Sequence, residues 1–208
     1  MTLSISLYNL GKKFNREWIF RGLNFEIQHN QKLLVLGGNG SGKSTLLQVV
    51  SGFLTPNEGE VSISVDEKKI DPEKTKNIIS FASPYLQLIE DFTLVEMIEH
   101  TKVFKPFVNN LSNEEIIEII QLQNAKHKFI KQFSSGMKQR LKLGLAILAD
   151  SPLLLLDEPV SNLDKNAIAW YKELISRYTN NRTVIVCSNA IADEHFFCDS
   201  ELNVTDYK

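Results

Sequence analysis

The stretch Gly37-Gly38-Asn39-Gly40-Ser41-Gly42-Lys43-Ser44-Thr45 narrows most what this chain can become. It follows the unbroken apolar run Leu33-Leu34-Val35-Leu36 and precedes Leu46-Leu47-Gln48-Val49-Val50. A short continuous apolar run fits a strand covered on both faces, as in a parallel sheet. Glycines between such a strand and a helix leave backbone N–H groups uncovered at the positive helix end. That is an anion cradle, and the G-x-x-x-x-G-K-S/T spacing is that of a phosphate-binding loop. Gly37, Gly38, Asn39, Gly40, Ser41, Gly42 and Thr45 would wrap a triphosphate. Lys43 would reach its β and γ oxygens, and the Ser44 hydroxyl would hold Mg2+. The motif implies a nucleoside triphosphate with magnesium and leaves the superfamily open.

Composition removes other classes. Lysine and arginine total 23 against 25 acids, a net charge of −2, so no nucleic-acid partner is expected. Cys187 and Cys198 lack metal-ligand spacing and read as reduced thiols. No apolar run approaches the roughly 20 residues of a membrane span. The start Met1-Thr2-Leu3-Ser4-Ile5-Ser6 lacks the basic opening and apolar block of a signal peptide. The expectation is a cytoplasmic protein that reaches the inner face of a membrane only through a partner.

Period-two alternation at Leu3, Ile5, Leu7, at Leu23, Phe25, Ile27 and at Val61, Ile63, Val65 predicts half-buried antiparallel strands. Leu153-Leu154-Leu155-Leu156 and Val184-Ile185-Val186-Cys187 are continuously apolar and predict parallel strands. Met137, Leu141, Leu145 and Leu148 mark one helix, and Ile168, Tyr171, Leu174, Ile175 and Tyr178 another. From about 90 to 132 no strand is evident. There Thr93-x-x-Glu96 and Ser112-x-x-Glu115 predict capping boxes, with Pro106 between them. The fold class is therefore α/β, a P-loop NTPase whose parallel-sheet core carries an N-terminal antiparallel β-subdomain. One domain spans 1–208, with 1–89 and 133–208 as core and about 90–132 as an inserted helical subdomain. Asp193-Glu194 reads as a solvated acidic pair, and His29, His100, His127 and His195 lack metal-ligand spacing.

Asp157 and Glu158 end the 153–156 strand. A carboxylate at a buried strand's C-terminal end can hold Mg2+, and its neighbour can orient the attacking water. Upstream lies Phe133-Ser134-Ser135-Gly136-Met137-Lys138-Gln139-Arg140, opening a helix near Met137. This segment resembles the LSGGQ-type signature of the ATP-binding cassette (ABC) ATPases, and Ser161-Asn162-Leu163-Asp164 resembles their D-loop. Taken alone, Ser134 also fits a plain helix N-cap. The ordered motifs cover nearly the whole chain. No Asn-Lys-x-Asp element of a GTPase is present, and there is no room for long coiled coils.

The resemblance implies ATP and Mg2+ as cofactors. It also implies a second copy of the chain, whose Ser134, Ser135 and Gly136 would close on the ATP held by the first copy's loop. Glu158, Lys43 and Asn189 become the catalytic set, and Ser44 and Asp157 the metal ligands. Phe14 falls where the family stacks adenine on an aromatic, with Trp18 as helper; an ordinary core role for Phe14 stays open. Three departures stand out. Asn189 replaces the switch histidine, Pro84 or Tyr85 fills the Q-loop glutamine slot with Gln87 nearest, and Ser135 and Met137 alter the signature. The signature form is similar to exporter-type cassettes. The implied function is the ATP-hydrolysing subunit of an ABC transporter driving membrane-embedded permease subunits. Apolar residues from Phe81 to Phe92 would lie near the permease groove. Two alternatives remain: a soluble ATP-driven clamp, and a weakly hydrolysing ATP-binding regulator.

Overall fold

The computed structural model describes residues 2–208. Its first elements are β1 (Leu3–Phe14), β2 (Glu17–Ile27), β3 (Lys32–Leu36), α1 (Lys43–Val50), β4 (Glu58–Val65) and β5 (Lys68–Lys69). Then come α2 (Thr75–Ile78), β6 (Ile79–Ala82), α3 (Leu94–Phe104), α4 (Asn113–Ile119) and α5 (Ser135–Leu148). The chain closes with β7 (Leu153–Asp157), α6 (Lys165–Tyr178), β8 (Thr183–Ser188), α7 (Ala192–His195) and β9 (Ser200–Asn203). One sheet has the order β2-β1-β4-β5 and is antiparallel; the other has the order β6-β7-β8-β3-β9 and is parallel. The α/β, P-loop architecture read from the sequence is the one observed.

The two hydrophobic patterns map onto the two sheets. In β1, Leu3, Ile5 and Leu7 are buried while the residues between them are half-buried, because only one face meets the core. In β7, Leu153 and Leu155 join a core with α1 and the antiparallel sheet. Leu154 and Leu156 join another, built with α5, α6 and the helices before them. Covered on both faces, such a strand has no position left for a polar residue.

Between β6 and α5 the chain is helical. Thr93 and Ser112 each accept from the N–H three residues on, Glu96 and Glu115, whose carboxylates accept back from the cap N–H at 2.7 and 2.8 Å. Both capping boxes are as predicted, and each satisfies two orphan donors. The helix opening the signature starts at Ser135 rather than near Met137, because the Ser134 side chain accepts from Met137 N at 3.2 Å and so becomes its N-cap.

At its other end α5 is held by Arg182, which is buried. Its Nη1 donates to Ile147 O at 2.5 Å, and its Nη2 to the Ser80 and Ser151 hydroxyls at 2.7 and 2.8 Å. Burial lowers the guanidinium to about 10, and the carbonyl it caps would otherwise lack a donor. Along α5 a Cβ on Gly144 would collide with Ile120, which is fully buried. Alanine favours a helix by roughly 1 kcal/mol over glycine, yet here it would push α4 and α5 apart. Gly144→Ala is expected to destabilise the chain by about 1–3 kcal/mol in urea unfolding. A stabilised variant would contradict that packing.

Candidate functional site

Parallel pairing aligns three strand ends. Leu36 of β3 lies opposite Ser188 of β8, and Cys187 of β8 opposite Asp157 of β7. The segments leaving these ends therefore meet: the glycine loop after β3, Asn189 after β8 and Glu158 after β7. They line a cavity of about 440 Å³ with Ile19, Ser44, Thr45 and Tyr85. Crevices beyond strand C-termini are where open parallel sheets take ligands.

The loop needs glycine at two points for steric reasons. Gly37 has φ +153° and a Cβ there would strike Ser41 Oγ; Gly42 has φ +106° and a Cβ would strike Ile19. Gly42 is the N-cap of α1 and offers no side-chain hydrogen bond. The first N–H groups of α1 thus have no capping side chain, at the helix end that favours anions. Ser41 Oγ is buried without a partner among the described residues.

A relay of side chains crosses this site. Lys43 Nζ donates to Gly37 O at 2.8 Å, Gly38 O at 3.1 Å and Asn189 Oδ1 at 2.7 Å. Asn189 Nδ2 then donates to Glu158 Oε1 at 2.8 Å. An amide has both an acceptor and a donor, so Asn189 joins the lysine to the carboxylate. Glu158 and Ala190 hold φ of +44° and +65°, a left-handed backbone that costs a side-chain-bearing residue of order 1–3 kcal/mol. Glu158 N is anchored to Cys187 O at 3.0 Å.

Asp157 is only 2% exposed. Its Oδ2 accepts from Ser83 Oγ at 3.3 Å, while Oδ1 has no partner among the described residues. Burial pushes its carboxyl above the usual range; the nearby Ser44 and Ser83 hydroxyls oppose the shift, and the neighbouring Glu158 charge adds to it. An orphan carboxylate oxygen beside a serine hydroxyl fits Mg2+, which takes one or two protein ligands with phosphate oxygens and waters.

Other residues singled out in the sequence lie elsewhere. Phe14 is 47% exposed, with Lys12 Nζ 5.3 Å from its ring centroid. The core role is therefore excluded, but Phe14 is not among the cavity-lining residues, although Ile19 of the same hairpin is. Trp18 is covered by Lys13 and Arg21, 5.0 and 4.6 Å from its ring. Gln87 is exposed in a separate cavity of about 580 Å³ with Pro84, Tyr85, Leu86, Lys138 and Lys142. It does not line the phosphate-loop cavity, and the turn closed by Leu86 N on Ser83 O lies between it and β6 in the chain. Ser83 sits beside Asp157 instead, a residue the sequence reading missed because only the β6–β7 register reveals it.

Ser134 and Ser135 are exposed, and neither they nor Gly136 lines the phosphate-loop cavity of their own chain. The helix they open is fixed to the loop after Glu158. Gln139 Nε2 donates to Pro159 O at 2.9 Å, and a Cβ on Gly136 would sit 3.4 Å from Asn162 O. Glu194 is fully buried, correcting the solvated reading. Its Oε1 accepts from Val160 N at 3.4 Å, Oε2 has no partner among the described residues, and Tyr171 OH donates to its carbonyl at 3.0 Å.

Cradle, paired carboxylates and parallel sheet define a P-loop nucleoside triphosphatase. The family model described as ABC transporter matches residues 20–161. The chain belongs to the ABC transporter family of ATP-binding cassettes, whose members bind ATP with Mg2+. It is 33% identical over 204 residues to the sulfate/thiosulfate import ATP-binding protein CysA of Mesostigma viride, covering 92% of this chain and 58% of CysA. It is 28% identical over 207 residues to the ABC transporter ATP-binding protein YybJ of Bacillus subtilis, covering 96% and 92%. The cytochrome c biogenesis ATP-binding export protein CcmA of Xylella fastidiosa is 28% identical over 160 residues, covering 77% and 71%. A solved dimeric bacterial ABC transporter cassette superposes with a TM-score of 0.80 at 25% identity, covering 97% and 95%. The chain thus spans under two thirds of CysA but nearly the whole of YybJ.

Burial raises the Glu194 carboxyl, with Glu158 and Asp157 adding to the shift, and the nearby Ser188 hydroxyl and the Val160 N–H opposing it. The folded chain therefore binds this proton more tightly than the unfolded chain. Folding stability falls as pH climbs from the ordinary carboxylate range through the raised value. Glu194→Gln removes that loss and keeps an acceptor for Val160 N. Its Tm is expected to exceed the parent's by roughly 2–4 °C near neutral pH, with the gain vanishing near pH 4. A gain equal at both pH values would contradict the burial argument.

Proposed function

We propose that this chain is the ATP-binding and ATP-hydrolysing subunit of an ABC transporter, closing as a dimer around two ATP to drive separate permease subunits. The observation that carries this reading is the separation of two anion-ready helix ends within one chain. One is the loop leading into α1; the other is Ser134–Gly136 at the start of α5, with Ser134 and Ser135 exposed and none of the three lining the cavity of its own chain. A second copy supplies the missing half. Pairing of two copies is supported by the solved cassette of the same fold, which is dimeric.

In this reading Lys43 and the loop N–H groups bind the β and γ oxygens, and Ser134, Ser135 and Gly136 of the second copy face the γ-phosphate. Ser44 and Asp157 hold Mg2+, which when bound neutralises charge on those oxygens. Glu158 accepts a proton from, or orients, the water attacking in line. Phe14 stacks on adenine as an exposed aromatic at the tip of its hairpin. Among the described residues no helix is long and apolar enough to cross a membrane, so permease subunits supply membrane attachment at its inner face. Their contact surface is the apolar area of Phe53, Phe81, Tyr85 and Leu86. Phe53 and Tyr85 are 70% and 79% exposed there, and the Phe53 and Phe81 rings pack tilted with centroids 6.1 Å apart. A patch of this kind marks a partner site. We propose export as the direction on the form of the signature; relatives named for both import and export are known.

Hydrolysis is slow in this account. Asn189 donates to Glu158 and accepts from Lys43, but unlike histidine it cannot become a cation as charge develops on the phosphate. Asn189→His should raise ATP turnover about tenfold; unchanged turnover would contradict this role. Glu158→Gln removes the base while leaving the phosphate contacts. It should trap an ATP-bound dimer on size exclusion, whereas a monomer under saturating ATP and magnesium would overturn the two-chain site.

A further inference from the structure

Ser83 stands just past β6. The register pairs Ala82 with Leu156, which places Ser83 next to Asp157. Ser83 is buried, and its Oγ donates to Asp157 Oδ2 at 3.3 Å. The same Oγ accepts from Tyr85 N at 3.3 Å. A hydroxyl has one proton, so the Tyr85 N–H, by occupying a lone pair, directs that proton to the carboxylate. With Oδ2 engaged, Oδ1 is left as the buried oxygen without a partner among the described residues.

The turn carrying Ser83 is itself tied down. Leu86 N donates to Ser83 O at 3.1 Å, and Lys142 Nζ donates to Pro84 O at 2.6 Å and to Ser83 O at 3.4 Å. Lys142 belongs to α5, the helix that Ser134 caps. Outward, the same turn presents Tyr85 to solvent. One short turn thus touches the Asp157 carboxylate, the signature helix and an exposed apolar surface.

We infer that Ser83 is the positioning residue for the metal carboxylate: its hydroxyl holds Asp157 Oδ2 so that Oδ1 faces the cation. Because its orientation is set by Tyr85 N and its carbonyl by Lys142, displacement of this turn changes the grip on the metal. The inference rests on Asp157 being the metal carboxylate in the proposed function.

The test measures Mn2+ affinity, by the electron paramagnetic resonance of free Mn2+, in the full chain saturated with a non-hydrolysable ATP analogue. Partners that orient a metal ligand typically cost about 10–100-fold in affinity when removed. Ser83→Ala is expected to weaken Mn2+ binding about tenfold, and Ser83→Thr, which keeps the hydroxyl, to stay within about twofold of the parent. If the alanine variant fails to fold, Ser83→Cys preserves the volume with only a weak donor and carries the same expectation. Unchanged affinity in the variant lacking the hydroxyl overturns the inference, as does an equal loss in the threonine variant. A parent chain that binds nucleotide without Mn2+ would instead remove the metal reading of Asp157.

Discussion

The rest of the structure depends on the side-by-side alignment of β3, β8 and β7. Parallel hydrogen bonding in register carries Leu36, Ser188 and Asp157 to one edge of the sheet. Each segment leaving that edge then delivers a different function: a glycine-lined loop, an amide and a carboxylate. Because both faces of these strands are buried, a one-residue slip would move every apolar side chain between two different cores. Hydrophobic packing thereby fixes the polar geometry. The relay from Lys43 through Asn189 to Glu158 follows from strand register and requires no special pairing of its own.

The polar groups at this edge are held in an unsatisfied state. Asp157 keeps a buried oxygen without a partner, Ser41 keeps a buried hydroxyl, and Glu158 holds a left-handed backbone. Such features cost stability unless the fold over-determines them. Ser41 and Glu158 line one cavity, and Asp157 directly precedes Glu158 at the same strand end. The helix end at Ser134 lies outside the lining of that cavity. Gln139 and Arg182 bind its helix to the catalytic loop and to the sheet, so that surface and Glu158 belong to one packed unit.

Much of this was legible in the sequence because its causes are local or periodic. The glycine loop is contiguous, the apolar runs report two-sided burial, and Thr93 and Ser112 announce their caps within three residues. What escaped depends on distant register. Ser83 meets Asp157 only once β6 pairs with β7, so Gln87 drew attention by residue type alone. β9 pairs with β3, yet Ser200-Glu201-Leu202-Asn203 has only Leu202 buried, as suits an edge strand, and gives no alternating signal. Glu194 reads as polar surface until α7 lays it against Val160 and Tyr171. The helix start near Met137 was displaced because Ser134 serves as the cap itself.

The central claim is that one nucleotide is enclosed by the glycine loop of one copy and the Ser134-capped helix of another. Cysteine cross-linking tests it directly. Asn39→Cys and Ser135→Cys introduce thiols at two exposed positions, in a chain also carrying Glu158→Gln and Cys198→Ser; the remaining Cys187 is buried. The account predicts covalent dimers with a short bifunctional thiol reagent in the presence of ATP and magnesium, and none without nucleotide. Cross-links indifferent to nucleotide, or none at saturating ATP, would contradict it.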